Sequence, residues 1–145
     1  MNVPTLRVAV PGDSDFAYRA KKAAFREYVE RAWGWDEARQ RELHEQRFAK
    51  HDFRVIHEGG ADVGILATSV APECLWVHQI FLLPEHQGRG VGRECMRLVL
   101  KEARAQGLPV RLGVVKVNPR ALAFYEGLGF ERTGETETHY LLRKH

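Results

Sequence analysis

The hydrophobic residues of this 145-residue chain follow the period of a strand in some stretches and the period of a helix in others. Short alternating or continuous apolar runs predict strands at residues 5–10, 53–58, 61–70, 75–83, 110–115, 130–133 and 138–143. Apolar residues three or four apart predict helices from residue 13 or 14 to about 31, from about 37 to 50, from 91 to about 106, and briefly from about 118. This order predicts an α+β fold around a central mixed sheet.

Glycine residues mark where several of these predicted elements end. Gly59-Gly60 is a typical two-residue hairpin signal, and Gly134-Glu135 is expected to turn the terminal hairpin. Gly34 breaks the first helix, after which Asp36 is placed to cap the second. No repeat or linker interrupts the order, and the length suits one folding unit. We therefore predict a single domain over residues 1–145.

Composition and charge argue against several classes of protein. Hydrophobic residues at 44% and charged residues at 28% are ordinary globular values, so neither disorder nor a membrane span is expected. The net charge is only +3, and Arg and Glu are interleaved along residues 37–47 and 94–104, which argues against a nucleic-acid partner. Cys74 and Cys95 are too few for a disulfide framework and lack metal-ligand spacing. Residues 1–10 lack a signal-peptide pattern, so we expect a cytoplasmic protein without a bound metal.

A glycine segment, residues 87–92, lies between the apolar strand at 75–83 and the helix that follows. A helix start leaves its first N–H groups unpaired and carries partial positive charge, which together favour a bound anion. Three glycines let the main chain come close to such an anion, and Arg89 and Arg93 add positive charge. The segment lacks the Lys-Ser/Thr of a P-loop and the context of a dinucleotide fingerprint. From these residues alone it is either a phosphate site or a tight turn.

Two motifs make the assignment more specific. Gln87, Gly90 and Gly92 satisfy the pattern Q/R-x-x-G-x-G/A, which resembles the acetyl-CoA loop of the GNAT superfamily of N-acetyltransferases. Residues 118–130 are similar to a second segment of that family, N-x-x-A-x-x-F-Y-E-x-x-G-F. The motifs occur in the family's order and separation. The resemblance implies the GNAT-type fold, a central mixed, mostly antiparallel sheet of about seven strands flanked by about four helices.

In that family the strands that match residues 75–83 and 110–115 splay apart, and the pantetheine arm of acetyl-CoA lies between them. The resemblance implies that the backbone of the first strand bonds the pantetheine amides and that the glycine segment wraps the pyrophosphate. The implied cofactor-binding residues are Ile80, Phe81, Leu82, Gln87, Gly88, Arg89, Gly90, Val91, Gly92, Arg93, Asn118 and Tyr125. For Asn118 the alternative is a simple helix cap.

Acetyl transfer needs a proton donor for the leaving thiolate and a route for the proton that the amine loses. Tyr125 stands where the family places its general acid, near the CoA sulfur, and its alternative is core packing. Trp76 and Gly113 occupy the positions where many relatives have a carboxylate base. His78 is therefore the first candidate for the base, because imidazole titrates near neutral pH; a bystander role or a water relay is the alternative. Weaker candidates are Glu27, Glu73 and His139.

The acceptor site of this fold lies near the helices that follow the first strand. Tyr28, Trp33 and Trp35 are expected to border that pocket, because aromatic rings hold an apolar group or a protonated amine. Glu27 or Glu37 would supply a negative charge for the amine. The alternative is that both tryptophans anchor helices to the core.

The resemblance implies an enzyme that moves the acetyl group of acetyl-CoA to a primary amine by direct attack. The amine belongs to a small molecule or to an exposed amino group of a peptide. The alternative is a non-catalytic acyl-CoA-binding module or sensor on the same fold. Homodimers are common in the family, and no motif in the sequence demands one. The sequence fixes neither the acceptor nor the length of the acyl group.

Overall fold

A mixed β-sheet forms the centre of the computed structural model, which describes residues 3–145. Its strands are β1 Thr5–Val8, β2 Asp52–Glu58, β3 Ala61–Val70, β4 Leu75–Leu82, β5 Val110–Val115, β6 Glu131–Glu135 and β7 His139–Lys144. The helices are α1 Ser14–Trp33, α2 Glu37–Lys50, α3 Val91–Ala105 and α4 Pro119–Gly127. Within the described residues the seven strands follow the order β1-β2-β3-β4-β5-β7-β6, and β4–β5 is the parallel pair. The predicted α+β fold of about seven strands and four helices is confirmed.

Most element boundaries agree with the sequence prediction. Gly59 and Gly60 turn the β2–β3 hairpin with φ of 60° and 81°, the left-handed backbone that glycine adopts without strain. Asp36 caps α2 by accepting a hydrogen bond from the N–H of Arg39 at 3.1 Å, as predicted. α1 continues past its predicted end, to the residue before Gly34, where a φ of 80° stops the helix.

The last hairpin turns later than predicted. β6 continues through Gly134 and Glu135, so the prediction of a turn there is wrong. The pairing with β7 shifts register just before Gly134, and the N–H of Thr136 then donates to the carbonyl of His139 at 2.8 Å. The irregularity extends the ladder through Glu135, which places the turn at residues 136–138.

Two hydrophobic cores of the described chain lie on opposite faces of the sheet, and successive residues of β4 contact them in turn. Ile80 and Leu82 pack against the larger core, to which α3 and α4 contribute. Phe81 and the following Leu83 pack against the smaller core, which includes alanines of α1 and Phe48 of α2. β4 therefore separates an α3/α4 face from an α1/α2 face.

The parallel strands separate after Val77 of β4 and Leu112 of β5, the last residues that they pair. A bulge lies at the same point of β4, where the register with β3 skips His78. A bulge bends its strand and raises the local twist, so the carboxyl ends of β4 and β5 diverge. A cleft opens between them, as the resemblance implies.

β3 approaches β4 too closely for a side chain at Gly64. A Cβ there would run into the carbonyl oxygen of Phe81 and lie 2.8 Å from a methyl carbon of Leu82. A backbone oxygen cannot move aside as the end of a flexible side chain can, so Gly64 permits the observed spacing of the two central strands.

Gly64→Ala is expected to lower the free energy of unfolding by about 1–3 kcal/mol, because β3 and β4 must shift to admit the methyl group. Urea denaturation measures the change. Gly113→Ala in β5 is the matched control, since its Cβ would meet the His139 ring at 3.5 Å, an ordinary contact. Equal stability of the two variants would show that the strands adapt without cost.

Candidate active site

A cavity of ≈ 790 Å³ occupies the opening between β4 and β5. One end is lined by α1 and α2, and the other end is lined by the glycine segment, Arg93 and α4. These walls belong to opposite faces of the sheet, so the cavity joins the α1/α2 face to the α3/α4 face. We call its two ends the acceptor end and the cofactor end, respectively.

The glycine segment leads into a helix start that has no side-chain cap. Gly88 and Gly90 have φ of 74° and 83°, a conformation that other residues rarely adopt. Gly90 is the N-cap of α3 and offers no side chain, so the first N–H groups of the helix keep no capping partner. Gln87 donates from Nε2 to the carbonyl of Leu82 at 2.9 Å, which ties the segment to the end of β4. This geometry fits a bound phosphate or pyrophosphate.

Only some of the residues predicted to bind phosphate line the cavity. Arg93 lines the cofactor end, and so does Arg120, which sequence reasoning did not assign to the site. Arg89 lies outside the cavity lining, and the side chain of Val91 is buried in the larger core. A role for Val91 therefore falls to its backbone N–H. The other lining residues of the segment are Gln87, Gly88, Gly90 and Gly92.

The backbone of β4 faces the cleft at alternate residues. Leu83 donates its N–H to the carbonyl of Val63 at 2.9 Å, so the alternation of an antiparallel ladder directs the backbone groups of Phe81 toward β3. The groups of Ile80 and Leu82 face the opposite side, from which β5 has diverged. The predicted backbone role of Phe81 is corrected on this ground, and its ring lines the cavity instead. The pantetheine bonds stay a prediction for Ile80 and Leu82.

Tyr125 and Asn118 both line the cavity. The Tyr125 ring meets Phe124 and Phe130 edge-on, at centroid distances of 5.0 and 5.7 Å. Burial raises the pKa of the Tyr125 hydroxyl above its ordinary value, which already lies well above neutral pH. The Oδ1 atom of Asn118 accepts a hydrogen bond from the N–H of Ala121 at 3.1 Å, which shows the helix cap. That bond uses the amide oxygen, and the amide NH₂ is a separate donor.

His78 lies at the bulge of β4 and lines the cavity. Its ring stacks on that of His51 at 3.8 Å, and its Nε2 lies 2.7 Å from the hydroxyl oxygen of Ser69. The His78 side chain is exposed at the cavity, yet partial desolvation, followed by the neighbouring imidazole and the cations of α2, lowers its pKa to about 4. The expectation that His78 titrates near neutral pH is therefore corrected, and a group with this pKa is a weak proton acceptor.

Trp33 and Trp35 have different environments. Trp33 ends α1, is 54% exposed and lines the acceptor end together with Tyr28. Trp35 donates from Nε1 to a carboxylate oxygen of Glu37 at 2.8 Å and lies outside the cavity lining. The prediction that Trp35 borders the pocket is corrected, because this bond holds its ring beside the start of α2. The alternative that both rings are core anchors fails for Trp33, since that ring is exposed.

The acids predicted to face the amine also lie elsewhere. Glu37 pairs with Lys22 at 2.9 Å, and Glu27 pairs with Arg31 one helical turn away. Within residues 3–145, which the structure describes, no Asp or Glu lines the cavity. The prediction that Glu27 or Glu37 supplies a negative charge to the acceptor is corrected, because ion pairs outside the cavity hold both carboxylates.

Comparison with known proteins assigns this architecture to a family. The family model described as "Acetyltransferase (GNAT) family" matches residues 17–130, most of the chain. The chain belongs to the GNAT family. A mycothiol acetyltransferase of Thermomonospora curvata is 33% identical over 132 residues, which cover 88% of this chain and 44% of the relative. N-acetyltransferase family 8 member 3 of Mus musculus is 37% identical over 98 residues, which cover 63% of this chain and 43% of the relative.

A solved GNAT structure has a similar fold. It is the PaiA N-acetyltransferase from Thermoplasma acidophilum in complex with coenzyme A, with a TM-score of 0.81 and 13% identity. The match covers 97% of this chain and 98% of that chain. At this identity the similarity shows the fold and leaves the acceptor undefined. The chain spans under half the length of the two curated relatives named above.

Helix hydropathy, metal-ligand groups and cysteines complete the description of residues 3–145 of this GNAT protein. No helix within residues 3–145 is both long and apolar enough to cross a membrane. The same part of the chain contains no group of three His, Cys, Asp or Glu side chains placed to hold a metal ion. Cys74 and Cys95 are buried free thiols, and burial raises the pKa of each.

Sequence reasoning misses several residues that line the acceptor end of the GNAT cavity. Lys21 lies in the apolar stripe of α1, between Ala17 and Ala24, and is 3% exposed. Arg47 in α2 and His51 just after it line the same end. A lysine inside an apolar helical stripe is itself a signal, because lysine is almost never fully buried without a partner.

Gly92 offers a test of the phosphate site, because the structure has room for a Cβ at this position. A Cβ there would lie 3.6 Å from Leu82 and from Phe124, which is ordinary contact. Gly92→Val is expected to weaken acetyl-CoA binding at least tenfold, about 1.4 kcal/mol, because a branched side chain keeps phosphate away from the helix N–H groups. Calorimetry measures the Kd. Gly92→Ala is the matched control, since the GNAT motif accepts alanine here; unchanged affinity in folded Gly92→Val would place the phosphates elsewhere.

The depressed pKa of His78 predicts a pH dependence of stability. The unfolded chain protonates this imidazole near pH 6.5, whereas the folded protein keeps it neutral down to about pH 4. Its contribution is therefore complete above about pH 6.5 and is lost as the pH falls through about 4. His78→Gln should lose less stability than wild type between pH 7 and 4.5, in urea denaturation referenced to each protein's value at pH 7.5. Parallel curves for the two proteins would contradict the low pKa.

Proposed function

We propose that this GNAT protein is an acetyl-CoA-dependent N-acetyltransferase that acts on a primary amine by direct attack. The observation that carries the proposal is the cavity, which brings together an uncapped helix start, the hydroxyl-bearing ring of Tyr125 and an aromatic acceptor end. On this proposal, a site for acyl-CoA and a site for an acceptor would meet where β4 and β5 diverge. The family match and the curated relatives named as acetyltransferases support this assignment.

The residues of the cofactor end fit acetyl-CoA. The start of α3 and Arg93 would hold the pyrophosphate, and the free edge of β4 at Ile80 and Leu82 would bond the pantetheine amides. Asn118 would add a polar contact through its amide NH₂. Acetyl-CoA supplies an acetyl group activated as a thioester, whose sulfur is a leaving group.

Tyr125 would donate a proton to the leaving sulfur. A tyrosine hydroxyl is already protonated at neutral pH, burial raises the pKa of Tyr125 further, and the rings of Phe124 and Phe130 fix the position of the side chain. In the balance of the reaction, the amine nitrogen gains the acetyl group and loses a proton, and the carbon–sulfur bond breaks. The sulfur takes a proton from Tyr125, which regains one from solvent.

The proton of the amine would leave through water. His78 lines the cavity, but with a pKa of about 4 it would orient such a water more readily than hold the proton. Lys21 and Arg47 supply a further effect, because nearby positive charge disfavours an ammonium ion and lowers the pKa of a bound amine. The neutral amine is the nucleophile, so this surrounding favours the reactive form.

Tyr125→Phe is expected to lower kcat by about ten- to a thousandfold, or about 1.4–4 kcal/mol, and to leave the Kd of acetyl-CoA nearly unchanged. The reason is that the hydroxyl acts on charge that develops after binding. Steady-state assays of thiol release measure kcat, and calorimetry measures the Kd of acetyl-CoA. Tyr140→Phe, which changes a tyrosine outside the cavity lining, is the matched control. A normal kcat in Tyr125→Phe would assign Tyr125 to packing.

A thiol-release assay with a panel of amines tests the proposal as a whole. Release of CoA in proportion to N-acetylated product, detected by mass spectrometry, is the expected result. Tight binding of acetyl-CoA without product from any amine would instead support the acyl-CoA sensor. The observation that favours the sensor is that no carboxylate base lines the cavity within the described residues.

A further inference from the structure

The acceptor end of the cavity carries positive charge that the protein does not balance. Lys21 and Arg47 line this end, and the ion pairs formed among residues 3–145, the described part, include neither side chain. The cavity lining of the same residues contains no carboxylate. An uncompensated cation beside a cavity is costly to bury, so it favours an anion in that cavity.

Lys21 is the more deeply buried of the two cations. It is 3% exposed, and its Nζ donates to the neutral Oε1 of Gln40 at 3.1 Å. Burial, and then the charge of Arg47, lowers the pKa of Lys21 to about 8, so the ammonium form still dominates at neutral pH. A bound anion would supply the ionic partner that a buried lysine normally has.

Arg47 occupies a central place among the basic groups of the acceptor end. Burial lowers the pKa values of Lys21, His51, His78 and His139, and the charge of Arg47 adds to that effect at each of them. These shifts favour the neutral form of the three imidazoles, so the lysine and the arginine are the main charged groups of this end of the lining. A guanidinium group binds a carboxylate or a phosphate through two parallel hydrogen bonds.

This positive end is separate from the place expected for the phosphates of CoA. Lys21 and Arg47 belong to α1 and α2, which cover one face of the sheet. The glycine segment and the start of α3 adjoin the opposite face, where Arg93 and Arg120 line the cavity. The two groups of cations therefore serve different parts of the cavity.

We infer that the acceptor carries an anionic group, a carboxylate or a phosphate, on the same molecule as its amine, and that Lys21 and Arg47 bind that anion. The inference rests on the proposed function, because it concerns the acceptor of that transfer. Tyr28, Trp33 and Phe81 would cover the apolar part of such a molecule. Amino acids fit this description. Diamines do not, because a second ammonium would face two cations.

Matched pairs of amines test the inference. The common L-amino acids are each compared with the corresponding amide, and phosphoethanolamine is compared with ethanolamine; each pair differs in the anion. Values of kcat/KM are expressed per concentration of neutral amine, so that differences in amine pKa do not enter. In at least one pair, kcat/KM of the anionic member should exceed that of its neutral partner tenfold or more. An amino-acid pair that shows this preference indicates a carboxylate, and the phosphoethanolamine pair indicates a phosphate. Equal or better rates for the neutral partner in every pair would overturn the inference.

Variants assign the preference to the two cations. Arg47→Gln and Lys21→Met should each lower at least tenfold the ratio of kcat/KM for the anionic member to kcat/KM for its neutral partner. Arg39→Gln is the matched control, since Arg39 is an exposed basic residue of α2 outside the cavity lining. Equal losses for both members of a pair would mean that these side chains are structural. Arg47→Gln decides the question if Lys21→Met does not fold.

Binding measurements separate this inference from the proposed function. Calorimetric titration of the same pairs into the wild-type protein, with CoA present, reads the preference for an anion without any turnover. Preferential binding of anionic members without thiol release would keep the anion site at Lys21 and Arg47 and overturn the acetyltransferase proposal. Thiol release with no preference for the anionic members, in rate or in binding, would keep the acetyltransferase proposal and overturn the inference of an anionic acceptor.

Discussion

The divergence of β4 and β5 is the constraint on which the rest of the site depends. Past Val77 and Leu112 the strands stop pairing, and the cleft-facing backbone groups of Ile80 and Leu82 need other partners. Gln87 satisfies part of this need, because its Nε2 donates to the Leu82 carbonyl. The remaining groups form a short free edge with the spacing of a strand, so an extended ligand with amide groups is chemically suited to it.

The alternation of β4 lets one strand support two different ends of the cavity. Ile80 and Leu82 belong to the packing of α3 and α4, whereas Phe81 belongs to that of α1 and α2. Phe81 also contacts Phe25 of α1 at a centroid distance of 5.3 Å, which fixes the acceptor end against β4. The cofactor end and the acceptor end thus rest on separate cores, so changes in α1 and α2 can alter the acceptor while the phosphate-binding end is preserved.

The sequence predicted those parts of the fold that local patterns determine. α2, β3 and β5 have the expected bounds. The start of α2 is set by its capping residue, Asp36, and the start of β3 by the pair of turn glycines at 59 and 60. The cavity could not be predicted in this way, since its properties arise where elements meet. The low pKa of His78 depends on partial desolvation by its neighbours and on the stacked ring of His51. The positive acceptor end appears only when Lys21 of α1 and Arg47 of α2 come together.

The positive charge of the acceptor end bears on how an amine could be acetylated without a carboxylate base, because it affects the protonation state of the amine. A carboxylate beside the amine would stabilise the ammonium ion, and the amine would stay unreactive unless the same carboxylate also accepted its proton. Lys21 and Arg47 line the cavity, and in the proposed reaction they would act in the opposite sense and favour the neutral amine. An anion on the acceptor would offset one of these two charges, and the other would still act on the amine. On the proposed function, the charge that selects the acceptor also prepares its nitrogen for attack, and water suffices to carry the proton away.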